Sequence, residues 1–269
     1  MKKPLISLTS DFGVQTQGIG NMHGVALQIN PNANVIDLMH GIADFDIQSG
    51  ARTMETTIHL PIGFHVCVVD PGVGTKRKGI AIKTKRGDVL VGPDNGVLIP
   101  ATRILGGCDK VVALENPKYQ KLPVSPIFHG RDVFTPAAAH LSTGVKIEEL
   151  GEELKFEDLV KAPYEDAIIA DDQIQSEVIH INKFGSIHLN ISYALWDQFN
   201  PNEKIILEFN EKTIECPVVS TFGEVDKGKH LIMKDDYGRI EAAINLGSFS
   251  EKFKIKQGDK CVVKKNSSP

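Results

Sequence analysis

Cysteine is scarce and scattered in this chain, with four in 269 residues, at positions 67, 108, 216 and 261. No CxxC pair occurs, and no cysteine–histidine spacing suits zinc, so neither a disulfide framework nor a structural zinc is expected. Cys67 and Cys261 lie within apolar, strand-like runs, where a thiol behaves as a small buried hydrophobe. Long apolar runs are missing too. None approaches the roughly 18–20 residues of a membrane span, which excludes an integral helical membrane protein. A basic surplus is also missing: 30 lysines and arginines face 34 aspartates and glutamates, for a net charge of −4. That balance gives no electrostatic footprint for DNA or RNA. The first residues, Met1-Lys2-Lys3-Pro4, reach polar Ser10-Asp11 too soon for a secretory apolar core. Together with the cysteine usage, this makes the cytoplasm the expected location.

Catalytic signatures are equally sparse. The chain contains no Walker A sequence, no HExxH and no GxSxG, so phosphate-loop, zincin and serine-hydrolase chemistries lose their usual handles. Gly18-Ile19-Gly20-Asn21-Met22-His23-Gly24 comes near the dinucleotide fingerprint, but its last gap holds three residues where two are required. It also begins well after the preceding strand, too late for its glycines to bring a pyrophosphate onto a helix N-terminus. No nicotinamide site is expected.

What is present is an ordinary globular composition, 41% apolar and 24% charged, in a length of about two domains. The first half alternates strand and helix signals: Leu5 to Thr9, Gly24 to Ile29, Val35 to Leu38, Asp46 to Leu60, then the apolar run Phe64 to Val69. Continuous apolar strands between amphipathic helices predict a mainly parallel sheet covered on both faces. The second half carries short β-rich runs: Glu177 to Asn182, Ile187 to Ile191, Lys204 to Phe209, Thr213 to Val219 and Lys260 to Lys264. Punctuated by Gly, Asn, Pro and Asp, these predict a small antiparallel barrel or sandwich. The expected organisation is an α/β N-terminal domain over 1–160, a connecting segment over 161–172 and a smaller, barrel-like β-rich domain over 173–269.

Several polar clusters follow the apolar strands, where open α/β sheets bind ligands. They are Ser10-Asp11, Asp37 to His40, Asp70-Pro71-Gly72-Val73-Gly74, Gly92-Pro93-Asp94-Asn95-Gly96 and Phe128-His129-Gly130-Arg131-Asp132. Taken singly, each has a plain structural reading. Asp70-Pro71-Gly72 and Asp94-Asn95-Gly96 make good turns, His129 makes a satisfied core histidine, and Arg131-Asp132 makes an exposed ion pair of small consequence. His180 and His188 read as packing or surface residues. Asp11, Asp70, Asp94 and His129 have the chemistry of metal ligands but no ligand spacing, and no metal is expected.

Taken together and in order, the clusters resemble the S-adenosylmethionine hydroxide adenosyltransferase family, relatives of the fluorinase and chlorinase. The resemblance runs through Leu8-Thr9-Ser10-Asp11-Phe12-Gly13, Ile29-Asn30-Pro31, Val69 to Thr75, Val91 to Gly96, Phe128 to Asp132 and Ala137-Ala138-Ala139-His140-Leu141. It continues in Phe184-Gly185 and Asn190-Ile191, and so covers most of the chain. It implies a homotrimer without a cofactor, whose sites lie between the N-terminal domain of one subunit and the C-terminal domain of the next. It also implies hydrolysis of S-adenosylmethionine to adenosine and L-methionine. The family's Asp-Arg-His triad maps onto Asp70, Arg77 and His129. By the same resemblance Asp11 holds the ribose hydroxyls and Asn190 contacts the ligand, while Glu241 and the backbone at Ile244 hold the methionine portion. Two departures fall where the amino-acid tail belongs: Ser186 replaces the asparagine of Phe-Gly-Asn, and Asp236-Tyr237-Gly238-Arg239 stands where relatives have Ser-Ser-Gly-Tyr. The competing expectations are a halide-using adenosyl transferase, a non-catalytic binder of an adenosyl ligand, and a metal-dependent hydrolase built on the aspartates and His129.

Overall fold

The computed structural model describes residues 3–210 and 212–266; Met1 and Lys2, on which the leader reading partly rests, lie outside them. The chain divides into two compact units at the Pro163–Tyr164 junction. In the first unit the elements are β1 (Leu5–Ser10), α1 (Gln17–Ile29), β2 (Asn34–Met39), α2 (Ile47–Glu55), β3 (Phe64–Val68), β4 (Gly79–Thr84), β5 (Val89–Pro93), α3 (Ile99–Ile104), β6 (Cys108–Ala113) and α4 (Thr135–Ser142). They build a six-stranded sheet of order β2-β1-β3-β5-β4-β6. Its β1–β2, β1–β3 and β3–β5 pairings are parallel, and only β4 runs against its neighbours. The mainly parallel α/β expectation is borne out.

The apolar runs form buried strands because both faces of the sheet are covered. β1 and β5 are buried along their whole length. Ile6, Leu8, Val66, Val68 and Val91 share one core with Met22 and Ala26 of α1 and Ala137 to Ala139 of α4. At the amino-terminal ends of β3 and β5 a buried polar network replaces apolar packing. Asp88 accepts hydrogen bonds from His65 Nε2 at 3.1 Å, Arg86 Nε at 2.6 Å and the Gly63 amide at 3.2 Å. Burial pushes this carboxyl up, but the hydrogen bonds and charges of His65 and Arg86 win and hold it well below the usual carboxylate range.

The second unit holds β7 (Ile168–Ala170), β8 (Gln173–Ile181), β9 (Ile187–Ser192), α5 (Tyr193–Phe199), β10 (Lys204–Phe209), β11 (Lys212–Pro217), β12 (His230–Lys234), β13 (Arg239–Ile244), α6 (Phe249–Phe253) and β14 (Lys260–Lys265). The path β11-β10-β14-β8-β9-β13-β12 is antiparallel throughout, with β7 added beside β8. It curls almost closed: a single parallel bridge between Val218 and Ile232 brings its two edges together, with the Val219 amide donating to Ile232 at 3.0 Å. Ile187, Leu189, Trp196, Phe209, Phe249 and Val263 fill the interior. The barrel-like expectation is borne out, and β7 lies within the stretch expected as a connector. Among the described residues, no helix is long and apolar enough to cross a membrane.

Candidate active site

Four of the residues singled out by sequence meet at the carboxyl ends of the first unit's strands. Asp11 follows β1, Asp70 follows β3, Arg77 closes the loop from β3 to β4, and His129 precedes the turn into α4. Asp11, Asp70 and His129 line one cleft of about 250 Å³, together with Phe12, Asp44, Phe45, Val68, Val73, Ile127 and Phe128. Arg77 ties the group together. Its Nε donates to Asp70 Oδ1 at 3.0 Å, its Nη2 donates to Asp70 Oδ2, and the same Nη2 donates to His129 Nδ1 at 3.0 Å. This is the bidentate fork geometry that only a guanidinium offers.

The Arg77 contact settles the tautomer of His129. A guanidinium has no acceptor atom, so Nδ1 must be the bare nitrogen, and the proton of a neutral imidazole sits on Nε2. Burial first, and the Arg77 charge second, push the imidazole below its ordinary 6.5, so the neutral form is the resting one. His129 therefore offers the cleft an N–H donor.

The loops are held as firmly as the side chains. Gly74, at φ +75°, has no room for a side chain: a Cβ there would lie 2.4 Å from the carbonyl oxygen of Pro126. That close approach seats the loop of Asp70 and Arg77 directly on the loop of His129. Asp132 corrects the expectation of an exposed ion pair. It is fully buried, accepts from Arg131 at 2.7 and 2.8 Å and from the Ser125 amide at 2.9 Å, and so clamps the approach to His129. Residues Gly130–Phe134 form a wide π turn leading into α4, a local expansion often found at functional sites.

Asp11 accepts the Phe45 amide at 3.0 Å. Burial, with the charges of Asp44 and Asp70, raises its carboxyl above the ordinary 3.8 against the pull of its backbone hydrogen bonds. Phe45 itself adopts a left-handed φ of 63°, uncommon outside glycine, and sits at the cleft rim. Asp44 and Phe45 were missed by sequence reasoning because they occupy an irregular loop more than 30 residues along the chain from Asp11, and only the fold brings them beside it. Asp94 lies outside the cleft lining, where it accepts the Val160 amide at 3.0 Å. Asn95 donates to the Val69 carbonyl at 2.8 Å, so the Asp94-Asn95-Gly96 turn braces the end of β3. Among the described residues, no three histidine, cysteine, aspartate or glutamate side chains are grouped to hold a metal ion. Arg77 occupies the position between Asp70 and His129 that a cation would need.

In the second unit Asn190 of β9 and Glu241 of β13 lie on adjacent antiparallel strands, both buried. The side chains of Leu189, Ile191, Ile240 and Ala242 fill the barrel, so the alternation puts His188, Asn190 and Glu241 on the other face. Asn190 already accepts the Glu177 amide at 2.9 Å and donates to Glu165 at 2.8 Å, leaving one N–H and one lone pair for a ligand. Ile244 sends its side chain into the core and its carbonyl already accepts the Gly247 amide at 3.1 Å, so a ligand would meet its backbone alone. His188 is buried against Asp235, with Nδ1 to Oδ2 at 2.9 Å. Asp235 also caps the Asp236–Arg239 turn through the Tyr237 and Arg239 amides at 2.7 and 2.9 Å.

Comparison with known proteins matches the same two regions. Residues 6–151 match the SAM hydroxide adenosyltransferase N-terminal domain, and residues 176–262 match its C-terminal domain. The chain is 35% identical over 263 residues to the (R)-S-adenosyl-L-methionine hydrolase of Salinispora arenicola (strain CNS-205), covering 97% of each. A fluorinase of Nocardia brasiliensis is more distant, at 22% identity with 98% of this chain and 97% of that one covered. The crystal structure of an uncharacterized conserved protein from Thermotoga maritima superposes with a TM-score of 0.89 at 30% identity, covering 97% of this chain and all of that one. The loops that carry the bidentate Asp70–Arg77 pair and His129 lie within the first of these two domain matches, and with the second domain matched as well, this chain belongs to the SAM hydroxide adenosyltransferase family.

Proposed function

We propose that the cleft hydrolyses S-adenosylmethionine, in the (R) sulfonium form named for the 35%-identical relative, to adenosine and L-methionine. The observation that carries this reading is the Arg77-centred contact of Asp70 with His129 beside the acidic wall of Asp11 and Asp44. A water oxygen forms a bond to C5′ while the C5′–S bond breaks; the bond's electron pair returns to sulfur, which leaves as a neutral thioether, and the attacking water's proton is released to solvent. The sulfonium is its own leaving group, so neither a general acid at sulfur nor a cofactor is required. The site must orient the oxygen and strip it of competing solvent. The His129 N–H and the Arg77 charge favour an oxygen nucleophile of hydroxide character. The carboxylates complement a cationic substrate, and Asp11 has the acceptors to bind both ribose hydroxyls.

The test is incubation with S-adenosylmethionine in oxygen-18 water followed by chromatography and mass spectrometry. Label is expected in adenosine at the 5′-hydroxyl and not in methionine. A 5′-halo nucleoside as the main product in high halide would instead establish the transferase reading, and absence of any product a binding protein.

The working assembly is a homotrimer in the cytoplasm, with Asn190, Glu241 and the Ile244 backbone of one subunit completing the cleft of its neighbour. Supporting this are exposed apolar side chains in both units, Phe45 and Ile127 in the first and Phe184 and Leu246 in the second. Four free thiols, three of them buried, suit a reducing compartment.

A further inference from the structure

The sequence cluster Asp37 to His40 has no part in the Asp70–Arg77–His129 contacts, yet it reaches the cleft by another route. β1 and β2 pair in parallel with one irregularity: Leu8 faces Asp37, but Thr9 faces Met39. Skipping Leu38 brings His40 alongside Ser10 at the end of β1, the kind of re-aiming that a bulge provides. Ser10 Oγ and His40 Nδ1 are 2.7 Å apart, His40 Nε2 and Asp37 Oδ1 3.0 Å, and His23 Nε2 lies 2.7 Å from the same Asp37 oxygen. His40 and Ser10 are buried, whereas Asp37 is half exposed. The Phe12 amide donates to Ser10 Oγ at 3.3 Å, and the Gly13 amide donates to the His40 carbonyl at 2.8 Å.

Donor and acceptor roles fix the direction of this chain. Asp37, as a carboxylate, only accepts, so His40 donates from Nε2, and a ring with one proton then presents a bare Nδ1. Ser10 therefore donates its hydroxyl proton to Nδ1 while accepting from Phe12. The arrangement has the members of a hydrolytic triad, but Ser10 is fully buried and is no nucleophile. Its neighbours reveal its use. The turn Ser10–Gly13 carries Asp11 and Phe12, and the loop leaving His40 carries Asp44 and Phe45; all four line the cleft. Beside the direct Asp11–Phe45 bond at 3.0 Å, His40 is a second tie between those two loops, lying beneath the cleft rather than in it.

We propose that His40, oriented by Asp37, is a positioning residue that sets Asp11 in the cleft through Ser10 and the Gly13 amide. The inference rests on the reading of the cleft as an adenosine site. It predicts coupling: His40 matters to ligand only while Asp11 is there to be placed.

Adenosine affinity by calorimetry on the full chain tests this for wild type, His40→Ala, Asp11→Ala and the double variant. His40→Ala should weaken adenosine by about tenfold, yet by less than about twofold in the Asp11→Ala background, the signature of a coupled pair. His40→Asn, which restores an acceptor where Nδ1 stood, should recover most of the loss. Should His40→Ala fail to fold, Asp37→Ala, at a half-exposed position, should weaken adenosine by about threefold by freeing the imidazole to take either tautomer. Equal losses from His40→Ala with and without Asp11, or unchanged affinity in every folded variant, would overturn the positioning role. Wild type that neither binds adenosine nor turns over S-adenosylmethionine would sink the reading of the cleft instead.

Discussion

In the proposed reaction, a single proton on His129 decides what Asp70, Arg77 and His129 can do together. With Nδ1 held by Arg77, a second proton on the ring would turn Nδ1 into a donor facing a guanidinium, so the neutral ring is the competent form. Its proton affinity is depressed by burial and then by Arg77, so the competent form persists from neutral pH to below 6.5. Turnover should be flat from pH 8 to about 6.5 and fall only at lower pH, as the ring protonates. An acidic limb whose midpoint lies above the ordinary histidine value would contradict this; NMR titration of His129 gives the same check without turnover. The unfolded ring takes its proton more readily than the folded one, so its contribution to stability is complete above 6.5 and is lost as pH falls toward the folded value. His129→Ala and Arg77→Ala should lower kcat by about 10²–10⁴-fold while changing substrate affinity far less, as expected of groups that act on the attacking oxygen. Steady-state kinetics with S-adenosylmethionine separates the two effects.

Elements place these residues through contacts that sequence discloses unevenly. Gly74→Ala, distant from any reacting atom, should separate the Asp70–Arg77 loop from the Pro126 carbonyl and lengthen the Arg77–His129 contact. The expected result is a kcat loss of about 10-fold or more together with a lower Tm, since a misplacement of about 1 Å can cost that much. Wild-type kinetics with a normal Tm would mean the loops are not coupled there. The strands that seat the site were legible because Leu5 to Thr9 and Phe64 to Val69 are mostly apolar, with only Ser7, Thr9 and His65 among them polar. α1 was only half legible: it begins at Gln17, but Gly18, Gly20 and Gly24 lower its helix propensity, and the apolar spacing appears only over its last turns. β13 was missed because it is buried on both faces and carries Glu241, so neither alternation nor a clean apolar run survives. Of the site, Asp11 and Asp70 stood out at strand ends on geometric grounds. Arg77, flanked by Lys76 and Lys78, became a candidate only through the family resemblance. The His40–Ser10 tie depends on one skipped residue in a parallel pairing, and local sequence carries no mark of that.

At the scale of the whole molecule, the proposed trimer makes a prediction that single-subunit chemistry does not. Asp70→Ala and Asn190→Ala subunits are each expected to be nearly inactive alone. Mixed under conditions of demonstrated subunit exchange, they should recover part of wild-type turnover, because some interfaces then receive two intact halves. No recovery would argue that each cleft is completed within its own chain. The second unit adds a constraint of its own. Its sheet closes through one parallel bridge at Val218–Ile232, while every neighbouring strand pair has a full antiparallel ladder. Amide hydrogen exchange should therefore be fastest at Val219 and slowest in β8 and β9, with β12 and β13 between them. Uniform protection around the barrel would refute a weak closure. The barrel thus resembles a ring fastened by one clasp: Glu241 hangs one strand from the clasp and Asn190 two. If Glu241 holds the methionine portion as proposed, substitutions at Val218 or Ile232 should reach that end of the ligand first and leave its nucleoside end almost undisturbed, which would make the clasp the natural place to retune which sulfonium tail is accepted.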